Sequence, residues 1–146
     1  MSGRRESDNV GLVHGNWGED VACEYLRTRG LIVMDRNVRP CEWDRRYEID
    51  IIAYDQTNDT VVFVEVKQHK SRSERQHRLR SICHHKKELL LKASRTWLRK
   101  NNWSTGRRFD VVEVYGDPES GKKVEIDHLE RVQLFEQNSR FVNWAD

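Results

Sequence analysis

The sequence predicts an α/β domain built on a mixed central sheet of about five strands flanked by helices. Three observations lead there: two β-rich runs, Tyr47–Tyr54 and Thr60–Lys67, stand on either side of a polar turn; a long amphipathic stripe at helical spacing follows; and another β-rich run, Arg108–Tyr115, comes after it. A tight turn pairs its strands antiparallel, whereas strand, helix, strand is the ordinary route to a parallel pair. A chain of 146 residues suits one domain, placed at 16–136 between a flexible tail, 1–15, and a C-terminal tail, 137–146.

Met1 to Gly15 is polar, contains glycine and lacks period. Asn16 then reads as an N-cap, with Glu19 in capping-box position, and Trp17, Val21, Ala22, Tyr25 and Leu26 recur at helical spacing until Gly30. Leu31–Arg36 reads as a short first strand. The loop Asn37–Arg46 holds Pro40, Trp43 and Arg45-Arg46, and either lies against a nucleic-acid backbone or covers the end of the sheet.

Asp55 to Asp59 has the polar chemistry of a chain reversal, so Tyr47–Tyr54 and Thr60–Lys67 form a hairpin. Alternation puts Val61, Phe63, Glu65 and Lys67 on one face, and Glu48, Asp50, Ile52 and Tyr54 together, with Ile49, Ile51 and Ala53 behind. If Asp55 pairs with Thr60, Asp50 falls opposite Glu65. Paired side chains have Cβ atoms roughly 4.5 to 5.5 Å apart, and like charges so placed repel unless a cation lies between them. A divalent metal held by Asp50 and Glu65 answers that repulsion. The plain alternative is a solvated sheet face on which Lys67 neutralises Glu65.

Beyond Lys67, Gln68–His77 is a polar connection. In the helix that follows, Ile82, Leu89, Leu90, Ala93 and Trp97 build one apolar stripe, and Lys86 falls inside it. That lysine either snorkels to solvent or points across the sheet toward the carboxylates. Arg108–Tyr115 is the fourth strand, Asp117–Gly121 a turn, Lys122–Asp127 a fifth strand and His128–Phe135 a last helix. Phe141 and Trp144 in the tail either pack back or meet a partner.

Net charge is only +2, but His69–Lys100 holds eleven Lys and Arg against two Glu, a local +9 that leaves −7 elsewhere. Such a block, with Arg72, Arg75, Arg78 and Lys86 as its candidate contacts, reads as a surface for a polyanion, of which nucleic acid is the commonest. Its alternative is a solvated helix face. Charged residues make up 34% and hydrophobic ones 36%, fitting a compact domain with a heavily charged exterior. Cys23, Cys41 and Cys83 form no C-x-x-C pair, which suits a reducing cytoplasm. No apolar run approaches the roughly 20 residues of a membrane span, so no membrane partner is expected. Cys83-His84-His85 does not make a zinc site, because adjacent helical residues point about 100° apart. No Walker loop is present.

An Asp followed after an interval by Glu-x-Lys at a strand end resembles the PD-(D/E)xK nucleases. The wider set Gly18-Glu19, Ala22, Tyr25-Leu26, Gly30, Asn37, Glu48-Ile49-Asp50, Phe63-Val64-Glu65-Val66-Lys67, Lys86, Ala93, Leu98 and Arg108-Phe109-Asp110-Val111-Val112 resembles the YraN-like family. Tyr47 stands where that family has Gly, and Gln68-His69 where it has Thr-Arg. The resemblance implies a restriction-endonuclease-like fold related to Holliday-junction resolvases. It also implies an endonuclease that hydrolyses phosphodiester bonds of DNA, branched DNA included, with Mg²⁺ or Mn²⁺. Asp50 and Glu65 are then metal ligands, Lys67 orients water or balances charge, and Glu19 reaches the metal site from the first helix, where its plainer role is to cap that helix. A homodimer is implied as well. The rival reading is a noncatalytic nucleic-acid-binding module of the same fold.

Overall fold

The structure, a computed structural model, describes residues 3–71 and 84–134, with side chains from residue 16 in the first helix and from residue 86 in the second. Its elements in chain order are α1 (Gly3–Thr28), β1 (Ile32–Val38), β2 (Ile49–Asp55), β3 (Thr60–His69), α2 (His84–Lys100), β4 (Gly106–Tyr115) and β5 (Glu125–Leu129). The five strands lie in sequence order in one sheet; β3 and β4 are parallel, and the other neighbours are antiparallel. The mixed sheet between two helices is the α/β architecture expected from the hairpin and the crossover.

The turn sets the register. Asp55 accepts from the Thr57 amide at 3.0 Å and from the Asn58 side chain at 3.0 Å, while Asp59 takes a left-handed φ of 49°, which a short polar side chain tolerates. Asp55 therefore pairs with Thr60, and the ladder runs back to Ile51 opposite Val64.

One core packs beneath α1, where Ala22, Cys23 and Leu26 meet Ile51, Ala53, Val62, Val64, Val112 and Val114. The other packs beneath α2, where Leu90, Leu91, Ala93 and Leu98 meet Ile52, Val61, Phe63 and Phe109. Alternation along β2, β3 and β4 divides the two. Phe63 stands at the centre of the second, edge-on to Trp97 at 5.6 Å and stacked near Phe109 at 6.4 Å.

Several expectations are corrected. Helix α1 does not begin at Asn16: the backbone is helical from Gly3, so Asn16 and Glu19 are interior and form no capping box. The stretch lacks proline, and interior Gly costs only about 1 kcal/mol each. Ile49 packs on the α2 side and not beside Ile51, past the end of the ladder with β3 and still paired with Val38 of β1. Leu89 is half-buried, its place in the stripe taken by Leu91 and Leu98. His128 and Leu129 belong to β5, paired with Val112 and Val111, and residues 130–134 are irregular rather than helical. Pairing with a buried neighbour strand overrides local propensity there. The tail 137–146 and the Gln68–His77 connection beyond Ser71 lie outside the described residues. Among the described residues, no helix is long and apolar enough to cross a membrane.

Candidate active site

At the end of the sheet where β3 passes under the start of α2, the hairpin register brings Asp50 and Glu65 together. The Val66 amide donates to Asp50 Oδ2 at 2.8 Å, tying the first carboxylate to the backbone beside the second. Glu65 is only 5% exposed, yet no hydrogen bond reaches its Oε2. Two ammonium groups bracket it instead: Lys67 Nζ lies 3.9 Å from Oε1 and Lys86 Nζ 3.8 Å from Oε2. Lys86 thus points at the carboxylates rather than away from them.

Burial is the largest influence on both acids and raises both, since it penalises the charged form. For Asp50 the Val66 amide opposes the rise, whereas for Glu65 the Asp50 charge adds to it, and Glu65 is pushed up to about 8 against Lys86 and Lys67.

Glu19 comes to this end from α1. Burial and then the Asp50 charge raise its pKa, while Arg36 and a hydrogen bond from Asn37 lower it. Arg36 lies 3.6 Å from Glu19 Oε1 and 2.7 Å from Asp20 Oδ1, and Glu19 Oε1 is buried without a hydrogen bond. The close approach of α1 depends on Gly18. Its amide donates to Gln68 Oε1 at 3.2 Å, and a Cβ there would meet that oxygen at 2.6 Å and Gln68 Cβ at 3.2 Å. Of these partners Arg36 was not singled out in the sequence, and Asn37 and Gln68 entered only through the family resemblance, with no role assigned. The signal was Gly18 itself, a glycine inside a helical repeat, which marks a close packing contact.

Glu19 and Glu65 thus present buried carboxylate oxygens without hydrogen-bond donors, and Asp50 lies beside both. An all-oxygen, anionic donor set of this kind fits a hard divalent cation such as Mg²⁺ or Mn²⁺. Arg72, Arg75 and Arg78 lie outside the described residues.

A second buried charged group ties β4, β5 and α1 together. Asp110, fully buried, accepts from Arg108 Nε at 3.2 Å and the Arg131 amide at 3.0 Å, and lies 2.8 Å from His128 Nε2. The other His128 nitrogen meets the Tyr25 hydroxyl at 3.1 Å, and Arg108 also reaches Asp55 at 3.2 Å. Burial pushes Asp110 up, but His128, the Arg131 amide and Arg108 outweigh it and hold the carboxyl below its usual range. Asp110, His128 and Glu130 place ligand atoms within 4.8 Å of one another, but this carboxylate is already satisfied by protein donors. The group is a structural tie.

Comparison with known proteins identifies the chain. Residues 18–114 match the uncharacterised protein family UPF0102. A UPF0102 protein of Chlorobium limicola is 36% identical over 119 residues, covering 79% of this chain and 87% of its own. One from Chromohalobacter salexigens is 37% identical over 112 residues, covering 77% and 85%, and one from Clostridioides difficile 35% over 102, covering 69% and 83%. The matched span includes every element from Gly18 of α1 to Val114 of β4, with the hairpin and its acids inside it, and the chain belongs to UPF0102, the YraN family.

Proposed function

We propose that this protein is a divalent-metal-dependent nuclease of the PD-(D/E)xK type that hydrolyses phosphodiester bonds of DNA, with branched DNA as its preferred substrate. The observation that carries the reading is the buried contact of Asp50 and Glu65 with Lys67 and Lys86 against it. Two acids are seldom buried together without a cation to take up their charge. Asp50 and Glu65, with Glu19 beside them, would hold Mg²⁺ or Mn²⁺. Such an ion supplies Lewis acidity toward phosphate oxygens and lowers the pKa of water.

The chain's own groups do the rest. Val66 fixes the Asp50 carboxylate, so its lone pairs need no reorientation. Glu65 must be ionised to hold a cation, so cation affinity would rise with pH. Lys67 and Lys86, both within 4 Å of Glu65, would as compact charges balance the negative charge that develops on the phosphate. One feature favours the rival, a noncatalytic nucleic-acid-binding module: two lysines already stand against Glu65 without a cation.

A cleavage assay on branched, linear and single-stranded DNA with Mg²⁺ and Mn²⁺ decides between them. Cleavage by the wild type, lost in Glu65→Ala, is the expected result; binding without cleavage on every substrate establishes the rival. The resemblance to junction resolvases makes a homodimer part of this reading, and sedimentation with and without branched DNA tests it.

A further inference from the structure

The outer side of α2 carries two adjoining grooves that the site above does not use. One, of ≈ 350 Å³, lies between Trp43 and the helix; the other, of ≈ 500 Å³, lies between the helix and Trp103. They share Arg95 and Arg99 along a common wall, with Lys92 lining the first and Arg107 the second. Volumes of roughly 300–1,000 Å³ are those of small-molecule and cofactor sites. Lys92, Arg95 and Arg99 recur at helical spacing and are all exposed, and Arg95 and Arg99 form no ion pair among the described residues. Among the described residues one acidic side chain, Glu88, lines the first groove and none lines the second.

The two indoles are held in place. Trp43 is 64% exposed, against the habit of so large an apolar side chain. Its loop is nonetheless fastened to α2: Cys41 Sγ meets Thr96 Oγ1 at 3.3 Å, and Lys100 Nζ donates to the Pro40 carbonyl at 2.6 Å. Trp103 is braced by Tyr54 and Trp97, ring to ring, and donates to the Gly106 carbonyl at 3.3 Å. A firmly seated loop that leaves an indole in solvent beside arginines is built to offer that ring to something flat and anionic.

We infer that the grooves along α2, between Trp43 and Trp103, hold one unpaired strand of nucleic acid, with its bases against Trp43 and its phosphates on Arg95, Arg99 and Arg107. A duplex backbone offers the arginines charge but gives an exposed indole no base face, whereas an unpaired strand offers both. Lys86, in the first turns of the same helix, touches Glu65, and Arg99 lies about 20 Å further along the axis. A strand in the grooves therefore runs toward the acids. This rests on the nuclease reading and deepens it: the preferred DNA carries a single-stranded arm.

Fluorescence anisotropy of labelled oligothymidylate and of a blunt duplex of equal length, without metal, tests the inference on the full chain. The strand binds more tightly than the duplex; Trp43→Ala weakens strand binding by roughly 5- to 150-fold with little effect on the duplex, and Trp43→Phe restores most of it. Replacing both Arg95 and Arg99 with Ala lowers the slope of log affinity against log salt by about 1.4. Melting temperatures equal to wild type show that the variants are folded. Unchanged strand affinity in folded Trp43→Ala, or equal binding of strand and duplex by the wild type, overturns it. If no DNA is cleaved but Trp43→Ala still loses the strand, the nuclease reading fails and the groove stands; if DNA is cleaved while Trp43→Ala binds the strand normally, the groove fails and the nuclease reading stands.

Discussion

The Val66 amide holds Asp50 Oδ2 at 2.8 Å, so the acid of β2 is fixed by the backbone of the strand that carries Glu65. The pairing of the two acids is thereby a property of the hairpin itself, and removing either charge changes metal response and stability together.

Asp50→Asn keeps an oxygen for Val66 and removes one of the two charges. Its metal-free stability is expected to exceed that of the wild type. Mg²⁺ or Mn²⁺ at about 100 times the dissociation constant stabilises the wild type by roughly 2.7 kcal/mol, or about 5 to 10 °C in Tm, and the variant not at all. Thermal scans with and without metal check both. An equal increment in the two proteins removes Asp50 from the metal site.

The metal-free protein loses stability as pH rises. Glu65 titrates near 4.5 when unfolded and is pushed up to about 8 when folded, so between these values the folded chain binds the extra proton. The sign follows: the contribution is complete below about 4.5 and declines toward 8, by on the order of a few kcal/mol. Denaturant melts across that window show the decline, and Glu65→Gln flattens it. A wild-type profile already flat in chelator means that Glu65 ionises freely.

Lys86→Met tests whether an ammonium 3.8 Å from Glu65 serves the reaction. Turnover on the best DNA substrate falls by roughly 100- to 1,000-fold, the scale of a lost charge-stabilising donor, while the protein stays folded. Single-turnover cleavage measures it. Wild-type turnover in the variant makes the contact incidental.

Arg108→Ala is expected to act on the fold. Arg108 is 6% exposed and neutralises Asp110 and Asp55, so its loss leaves buried charge unpaired, at a cost of about 3 to 5 kcal/mol. The metal-induced rise in Tm persists in the variant. A variant that is stable but unresponsive to metal would move the Arg108 group into the site.

The hairpin was legible because its information is local: five turn residues and an alternating pattern suffice to set Asp55 against Thr60 and carry the ladder back to Ile51 opposite Val64, and beyond it the Val66 amide ties Asp50 to β3. Lys86 was legible from its place in a helical stripe. His128 was not. Its partners are Tyr25, 103 positions away, and Asp110, on a strand whose edge draws Glu125–Leu129 into pairing regardless of local preference. The loop before β2 was ambiguous for a related reason: Pro40 and Cys41 are placed by Lys100 and Thr96, which only the packed helix brings near.

Position 18 sets a trap for anyone who would stabilise this protein. Gly18 stands inside a helix, where alanine normally gains about 1 kcal/mol, and it is the sort of residue a thermostability screen replaces first. A methyl group there has to displace Gln68, whose Cβ lies 3.2 Å from its place, or lift α1 off β3. Lifting the helix carries Glu19 away from Asp50. The foreseeable product is a folded protein whose Glu19 no longer stands beside Asp50, and an assay that scored melting alone would not reveal it.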